Sequence, residues 1–210
     1  MIAGLYGIVD VSANPALDEV ALSCAWLAGG VRILQLRMKG ADVAEVSRTL
    51  DALVPLCAEA GCLLIVNDHV ELAARHGVGV HLGQDDMDPR EARRILGEEA
   101  VIGWSTHDLQ QVRRASERGV DYIGYGPIFS AAAKHRTAGD AREPMPACGL
   151  ASLSAAVAAA TVPVVAIGGI DAERLPFVLA TGVQSVAMIS AVARAPDPAR
   201  AAAELVAACR

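Results

Sequence analysis

A chain of 210 residues with a formal net charge of −6 is long enough for one domain, and its acidity excludes general nucleic-acid binding. Hydrophobic residues make up 53% of the chain but aromatic residues only 3%, which indicates an aliphatic core. Residues 1–15 lack the basic region of a signal peptide, and no apolar run reaches the ~18 uncharged residues of a membrane span. The five cysteines are odd in number and lack metal-ligand spacing, so we predict a cytoplasmic protein that does not bind membranes.

Eight short apolar runs alternate along the chain with segments of helical periodicity. The runs cover residues 5–9, 31–37, 62–66, 79–82, 100–104, 121–126, 162–169 and 183–190. Several are nearly continuous in Val, Ile and Leu, which is typical of parallel strands buried on both faces. Residues 42–61 and 88–99 carry apolar side chains at helical spacing, and Asp88-Pro89 is a typical helix start.

Eight strand–helix units within one domain of residues 1–210 predict an α/β fold, the (β/α)8 TIM barrel. An open doubly wound sheet is the structural alternative, but no GxGxxG motif follows the first apolar run. In a barrel the functional side chains lie at the carboxyl ends of the strands. Polar residues directly after each apolar run are therefore the candidates for a site.

The second predicted strand ends in Gln35, Arg37 and Lys39, which share one face because side chains alternate along a strand. Two cations directed into a barrel mouth are costly unless an anion compensates them. They therefore indicate an anion site, although a strand end that has already reached solvent would have the same sequence.

Acidic residues follow the next two strands. Asn67-Asp68 follows the third strand, and Asp85-Asp86 follows the fourth. Two carboxylates from adjacent strand ends can share a divalent cation, and Mg²⁺ prefers oxygen ligands when it also binds phosphate. We predict Asp68 and Asp86 as metal ligands and Asp85 as a solvated neighbour, although either ligand alone could cap a helix. His81, within the fourth strand, is expected to be a structural, hydrogen-bonded histidine.

The later strand ends predict a second anion site. Ser105, after the fifth strand, could bind a phosphate oxygen or cap the following helix. Gly169 follows the seventh strand, and Ile189 and Ser190 end the eighth. Loops after these two strands often bind phosphate through backbone N–H groups. Lys134, on the longest predicted loop, could reach between the two anion sites.

Six motifs, taken in chain order, resemble the thiamine phosphate synthase family. They are LQLRMK, VNDHVELA, GVHLGQDD, GWSTHD, DYIGYGPIF followed by a lysine, and AIGGI, and the similarity covers roughly residues 5–195. The resemblance implies a transferase of thiamine biosynthesis that uses Mg²⁺. It joins the hydroxymethylpyrimidine carried on a pyrophosphate to a thiazole phosphate and releases pyrophosphate. Its partners would be these small-molecule substrates, and a homodimer is expected because small barrels often pair.

The resemblance also implies a role for each strand-end residue. The pyrimidine pyrophosphate would be bound by Gln35, Arg37, Lys39, Asn67, Ser105 and Lys134. Four of these would act in catalysis: Arg37, Lys39, Ser105 and Lys134. Mg²⁺ would be held by Asp68 and Asp86, and the thiazole phosphate would be bound by Gly169, Ile189 and Ser190.

The long loop departs from the family pattern. The family has a threonine on each side of a variable residue before the lysine, whereas this chain has Ala131, Ala132 and Ala133 before Lys134. Two hydroxyl donors to phosphate are thus absent, and each lost hydrogen bond to a charged group typically costs ~1.5–3 kcal/mol. We expect weaker binding of the thiazole phosphate unless backbone N–H groups, or hydroxyls elsewhere in the loop, compensate.

Three other functions fit parts of the sequence. A thiazole tautomerase relative would use His107 as an acid–base group, but it does not need the carboxylates Asp68 and Asp86. A non-catalytic binder of phosphate ligands would keep the fold and lose turnover, which the alanine loop would suit. An unrelated phosphate-binding barrel enzyme would leave the two carboxylates unexplained. Charged residues on adjacent strand ends therefore favour the synthase.

Overall fold

The computed structural model describes residues 2–14, 16–130 and 145–209, and its eight strands form a closed parallel barrel. The strands are β1 (Gly4–Val9), β2 (Ile33–Leu36), β3 (Leu63–Asn67), β4 (Gly79–Leu82), β5 (Ile102–Thr106), β6 (Tyr122–Tyr125), β7 (Val164–Ile167) and β8 (Ser185–Met188). Each strand pairs with the next in chain order and β8 pairs with β1, so all carboxyl ends lie at one end of the barrel. The predicted TIM barrel and its eight strands are confirmed.

Helices follow the strands and cover the outside of the barrel. They are α1 (Glu19–Ala28), α2 (Val43–Glu59), α3 (Val70–His76), α4 (Pro89–Leu96), α5 (Leu109–Arg114), α6 (Gly149–Ala159), α7 (Leu175–Leu179), α8 (Ser190–Ala193) and α9 (Pro198–Ala208), with 3₁₀ helices at Val11–Ala13 and Ala115–Arg118. The Asp88 side chain caps α4 by accepting from the Arg90 N–H (2.9 Å), as predicted. Within the described ranges, none of the helices combines the length and apolar character that crossing a membrane requires.

Strand side chains alternate between two apolar clusters. The inner cluster fills the barrel and consists mainly of Ile2, Tyr6, Ile8, Ile33, Ile65, Tyr122, Val165 and Ala187. The outer cluster joins strand residues such as Leu34 and Val66 to helix residues such as Trp26 and Leu50. Because both strand faces are buried, the runs read as continuously apolar in the sequence.

A glycine makes room for a tyrosine inside the barrel. Gly103 on β5 pairs in register with Tyr122 on β6. A Cβ atom added to Gly103 would lie only 2.1 Å from Cζ of Tyr122, so no other residue fits there without displacing the ring. The Tyr122 hydroxyl can therefore extend across the barrel interior toward β1 and β4, where it meets polar partners.

Candidate active site

The carboxyl ends of β2, β3 and β4 bring a lysine and two aspartates together. Nζ of Lys39 donates to Oδ2 of Asp68 (2.5 Å), and the Asp86 carboxyl is close enough to the Asp68 carboxyl to raise its pKa. Oδ2 of Asp86 also accepts from the Gly83 N–H (2.6 Å). Burial raises the pKa of Asp68, Lys39 offsets part of that rise, and Asp86 adds to it. The structure thus places the two predicted metal ligands side by side.

Asp68 adopts a backbone conformation that is unusual for its residue type. Its φ of 68° is the only positive φ of a non-glycine residue in the described part of the chain. Such a conformation costs on the order of 1–3 kcal/mol and persists only where the surroundings enforce it, often at functional sites. The Asp68 N–H donates to the carbonyl of His81 (2.9 Å), which ties this turn to β4.

Neither predicted metal ligand caps a helix. The residue that flanks the start of α3 is His69, which makes no side-chain capping bond, and α4 is capped by Asp88. The carboxylates of Asp68 and Asp86 therefore stay available at the barrel mouth, so the helix-cap alternative does not describe them.

The paired carboxylates fit a hard divalent cation. Two adjacent carboxylates repel each other unless a proton or a cation lies between them, and Mg²⁺ prefers oxygen ligands. Across the described residues, no group of three or more His, Cys, Asp or Glu side chains is arranged to hold a metal. A cation at Asp68 and Asp86 would therefore need further ligands from substrate or water. Asn67 and Lys39 line a cavity of about 190 Å³ next to Asp68.

Arg37 lies just beyond the end of β2 and forms an ion pair with Asp10, which is buried at the end of β1. Asp10 also accepts from the Ser12 N–H (3.1 Å), so its carboxylate is fixed by the following 3₁₀ helix. Arg37 and Lys39 thus each have a carboxylate partner within the chain, and their charge alone does not require a ligand anion. Asp10 was not predicted as a site residue, although it directly follows the first apolar run.

A chain of hydrogen bonds crosses the barrel interior from β2 to β5. Nε2 of Gln35 donates to the Tyr6 hydroxyl (2.8 Å), which lies 2.8 Å from the Tyr122 hydroxyl. Nδ1 of His81 lies 2.9 Å from that second hydroxyl, and Nε2 of His81 lies 2.9 Å from Oγ of Ser105. Burial raises the pKa of Tyr6 and of Tyr122 and lowers the pKa of His81 to about 4. His81 is therefore neutral, and it is hydrogen-bonded as the sequence predicted.

Ser105 does not cap the helix that follows it. Helix α5 is capped by Asp108, whose side chain accepts from the Gln111 N–H (2.8 Å). Ser105 lies on β5 with its hydroxyl turned toward His81, because the strand alternation directs this side chain into the barrel. The capping alternative is wrong, and the ligand-binding alternative stays a prediction.

The ends of β7 and β8 form a different kind of surface. Gly168 and Gly169 both have positive φ, 102° and 65°. A Cβ on Gly168 would lie 2.6 Å from Cα of Pro127, and one on Gly169 would lie 2.8 Å from the carbonyl oxygen of Phe129. The start of the long loop therefore packs directly against this glycine pair. Ser190 begins α8 immediately after β8, and Ile189 flanks it.

Arg174 supports the loop after β7 and was not predicted. Its Nη1 donates to the carbonyl of Gly169 (2.7 Å), and its guanidinium lies 4.9 Å from the centroid of the Phe129 ring. One cation thus joins the glycine loop to the start of the long loop. Lys134 and Ala131 to Ala133, which belong to the long loop, lie outside the described residues.

The fold and the polar barrel mouth define a (β/α)8 barrel of the kind that carries an active site at the strand ends. A family model described as thiamine monophosphate synthase matches residues 5–192. The chain belongs to that family, as the resemblance in its motifs indicated.

Relatives and a solved structure agree with this assignment. A thiamine-phosphate synthase of Chlorobium phaeovibrioides is 38% identical over 93% of this chain and 91% of its own length. One from Acidothermus cellulolyticus is 43% identical over 98% of this chain and 94% of its own. The structure of a thiamine phosphate pyrophosphorylase from Pyrococcus furiosus aligns with a TM-score of 0.86 and 33% identity, over 99% of this chain and 95% of that one. These relatives are transferases.

Proposed function

We propose that the chain is a thiamine-phosphate synthase that transfers the hydroxymethylpyrimidine group from its pyrophosphate to a thiazole phosphate. In this reaction the bond between the pyrimidine methylene carbon and oxygen breaks, and its electrons leave with pyrophosphate. The thiazole nitrogen then attacks the carbocation-like carbon to give thiamine phosphate. The observation that carries the proposal is the cluster of Lys39, Asp68 and Asp86 at the mouth of a barrel of this family.

The residues at the ends of β2 to β4 would hold the pyrophosphate and Mg²⁺. Asp68 and Asp86 would be the protein ligands of Mg²⁺, which when bound stabilises negative charge on the leaving group. Arg37 and Lys39 would stabilise the same charge, and their carboxylate partners hold both cations in position before the reaction. Donors fixed in advance need no reorganisation as charge develops, which is why they stabilise a transition state.

The remaining predicted residues would orient the two substrates. Gln35, Asn67 and Ser105 line the barrel interior or its mouth and would bind the pyrimidine pyrophosphate, together with Lys134. The backbone of Gly169, Ile189 and Ser190 would bind the thiazole phosphate. No side-chain nucleophile is required, because the thiazole supplies the attacking nitrogen.

The curated relatives do not favour a non-catalytic phosphate binder, the alternative that the two alanines in place of the expected threonines would suit. A product assay by mass spectrometry decides between the two functions. Purified protein would be incubated with hydroxymethylpyrimidine pyrophosphate, thiazole phosphate and Mg²⁺, with EDTA replacing Mg²⁺ in a matched control. We expect thiamine phosphate only in the reaction that contains Mg²⁺. Binding of the pyrophosphate substrate by calorimetry without any product would contradict the synthase and support the binder.

The cytoplasmic location and the homodimer are further parts of the proposal. Light scattering on the purified protein tests the dimer directly: a mass of two chains supports it, and a mass of one chain rejects it.

A further inference from the structure

We propose that a buried chain of Tyr6, Tyr122 and His81 acts as a set of positioning residues that makes the serine at the end of β5 a hydrogen-bond donor to the bound substrate. That serine is Ser105. The inference deepens the proposed function and depends on it only for the identity of the substrate, the pyrimidine pyrophosphate.

The direction of donation along these hydrogen bonds follows from their first atom, a nitrogen that can only donate. The amide nitrogen of Gln35 can only donate, and it faces the Tyr6 hydroxyl at 2.8 Å. Tyr6 therefore accepts from Gln35 and needs an acceptor for its own hydrogen. Its other hydrogen-bond partner among the described residues is the Tyr122 hydroxyl at 2.8 Å, and both tyrosines are at most 1% exposed. A buried hydroxyl that donates to nothing is costly, so Tyr6 donates to Tyr122.

The same reasoning fixes the tautomer of the histidine. Tyr122 accepts from Tyr6, so its own hydrogen is donated to Nδ1 of His81 at 2.9 Å. A ring nitrogen that accepts carries no hydrogen, and in a neutral imidazole the hydrogen is then on Nε2. Nε2 lies 2.9 Å from Oγ of Ser105 and donates to it.

Ser105 is the last member of the hydrogen-bonded chain, and it lies at the barrel mouth. Because Oγ of Ser105 accepts from His81 and has no second hydrogen-bond partner among the described residues, its own hydrogen can be donated to a ligand. The Ser105 carbonyl accepts from the side chain of Gln84, so the backbone is held from a second direction. Ser105 thus offers a directed donor to an acceptor atom of the pyrimidine pyrophosphate.

Packing alone does not explain these residues. Phenylalanine at either tyrosine position would fill the same space without burying a hydroxyl. Instead, the hydrogen-bonded chain runs from one predicted substrate-binding residue, Gln35, to another, Ser105, and its members lie on five strands of the barrel. A network with every member satisfied holds its side chains in one arrangement, which suits a site that must present a donor in a fixed direction.

NMR of the imidazole nitrogens in isotopically labelled wild-type protein tests the direction of the chain without any substrate. The His81 resonances would be assigned by their loss in His81→Gln. We expect the Nε2–H tautomer. The Nδ1–H tautomer would mean that the hydrogen bonds between Tyr6, Tyr122, His81 and Ser105 run the other way and that Ser105 donates to the histidine, which would overturn the proposal.

Tyr122→Phe tests the functional role, and Tyr125→Phe is its matched control. Tyr125 lies on the same strand, and its hydroxyl is hydrogen-bonded to Ser152 on α6 (2.5 Å), which is not a member of the hydrogen-bonded chain. In Tyr122→Phe we expect mixed tautomers at His81 and about tenfold lower kcat/KM for the pyrimidine pyrophosphate, the effect of about one hydrogen bond. KM for the thiazole phosphate should not change, and Tyr125→Phe should match wild type in every measurement.

Identical kinetics and tautomers in the two phenylalanine variants would reject the positioning role. The failure of the proposed function is a separate result, because it appears as absence of thiamine phosphate from the wild-type protein. In that case the His81 tautomer still decides the direction of donation along the hydrogen bonds. Calorimetric binding of the pyrimidine pyrophosphate to the two variants then replaces the kinetic comparison.

Discussion

The two sides of the barrel mouth present different chemical groups, charged side chains on one side and backbone groups on the other. At the ends of β1 to β4, charged side chains meet in pairs, with Arg37 on Asp10 and Lys39 on Asp68. At the ends of β7 and β8, the predicted phosphate contacts are backbone groups beside Gly168 and Gly169. The first side can be altered by replacing single side chains, whereas the second depends on the path of the backbone.

This difference matches the two substrates of the proposed reaction. The pyrophosphate changes charge as its bond to carbon breaks, and fixed cations with a metal stabilise charge at the place where it develops. The thiazole phosphate keeps its charge throughout and needs only to be held. Backbone N–H groups suffice for that task, since they bind an anion without a titrating group.

The largest effect is expected at Asp68. Asparagine keeps the shape and tolerates positive φ, so Asp68→Asn removes the charge without changing the backbone. We expect Mg²⁺-dependent formation of thiamine phosphate to fall by about a hundredfold or more, since a ligand charge is lost. Steady-state kinetics across a Mg²⁺ titration would measure it.

The matched control is Asp85→Asn, because Asp85 lies exposed on the same loop as Asp86. We expect near wild-type kinetics from that variant. Wild-type activity in Asp68→Asn, with an unchanged circular dichroism spectrum, would remove Asp68 from the metal site.

A smaller effect is expected from Asp10→Asn, which leaves Arg37 without its carboxylate. The guanidinium would lose its fixed position, and kcat/KM for the pyrimidine pyrophosphate should fall by about tenfold, as for one hydrogen bond to a charged group. KM for the thiazole phosphate should not change, because its predicted site lies on the other side of the mouth. Steady-state kinetics with each substrate varied in turn would measure this.

The control for this prediction is an ion pair at the opposite end of the barrel. Asp121 precedes β6 and pairs with Arg93 (2.7 Å). Asp121→Asn should lower the thermal midpoint of unfolding and leave kcat/KM for the pyrimidine pyrophosphate and KM for the thiazole phosphate unchanged. Equal loss of activity in the two variants would mean that Asp10 acts through general stability instead of through Arg37.

The strands were predictable because parallel strands buried on two faces are continuously apolar, and the strand-end rule then located most of the charged side. The partners across the barrel were not predictable. Tyr6 and Tyr122 are 116 residues apart, and their contact depends on closure of the barrel and on the space at Gly103. The pairing of Arg37 with Asp10 depends likewise on the register of β1 and β2, which no local pattern records.

The smallest effect is expected on the backbone side of the barrel mouth, and it tests most sharply whether this side differs from the charged side. Replacing Ala131 and Ala133 together by threonine restores the two hydroxyls of the family pattern, and Ala132→Thr, at the variable position, is the matched control. We expect the double variant to lower KM for the thiazole phosphate by about threefold to tenfold, less than two new hydrogen bonds to a charged group would give, because in the proposed site backbone N–H groups already bind this phosphate. KM for the pyrimidine pyrophosphate and kcat should stay the same. An unchanged KM for the thiazole phosphate would mean that other donors already satisfy this phosphate without hydroxyls from the loop.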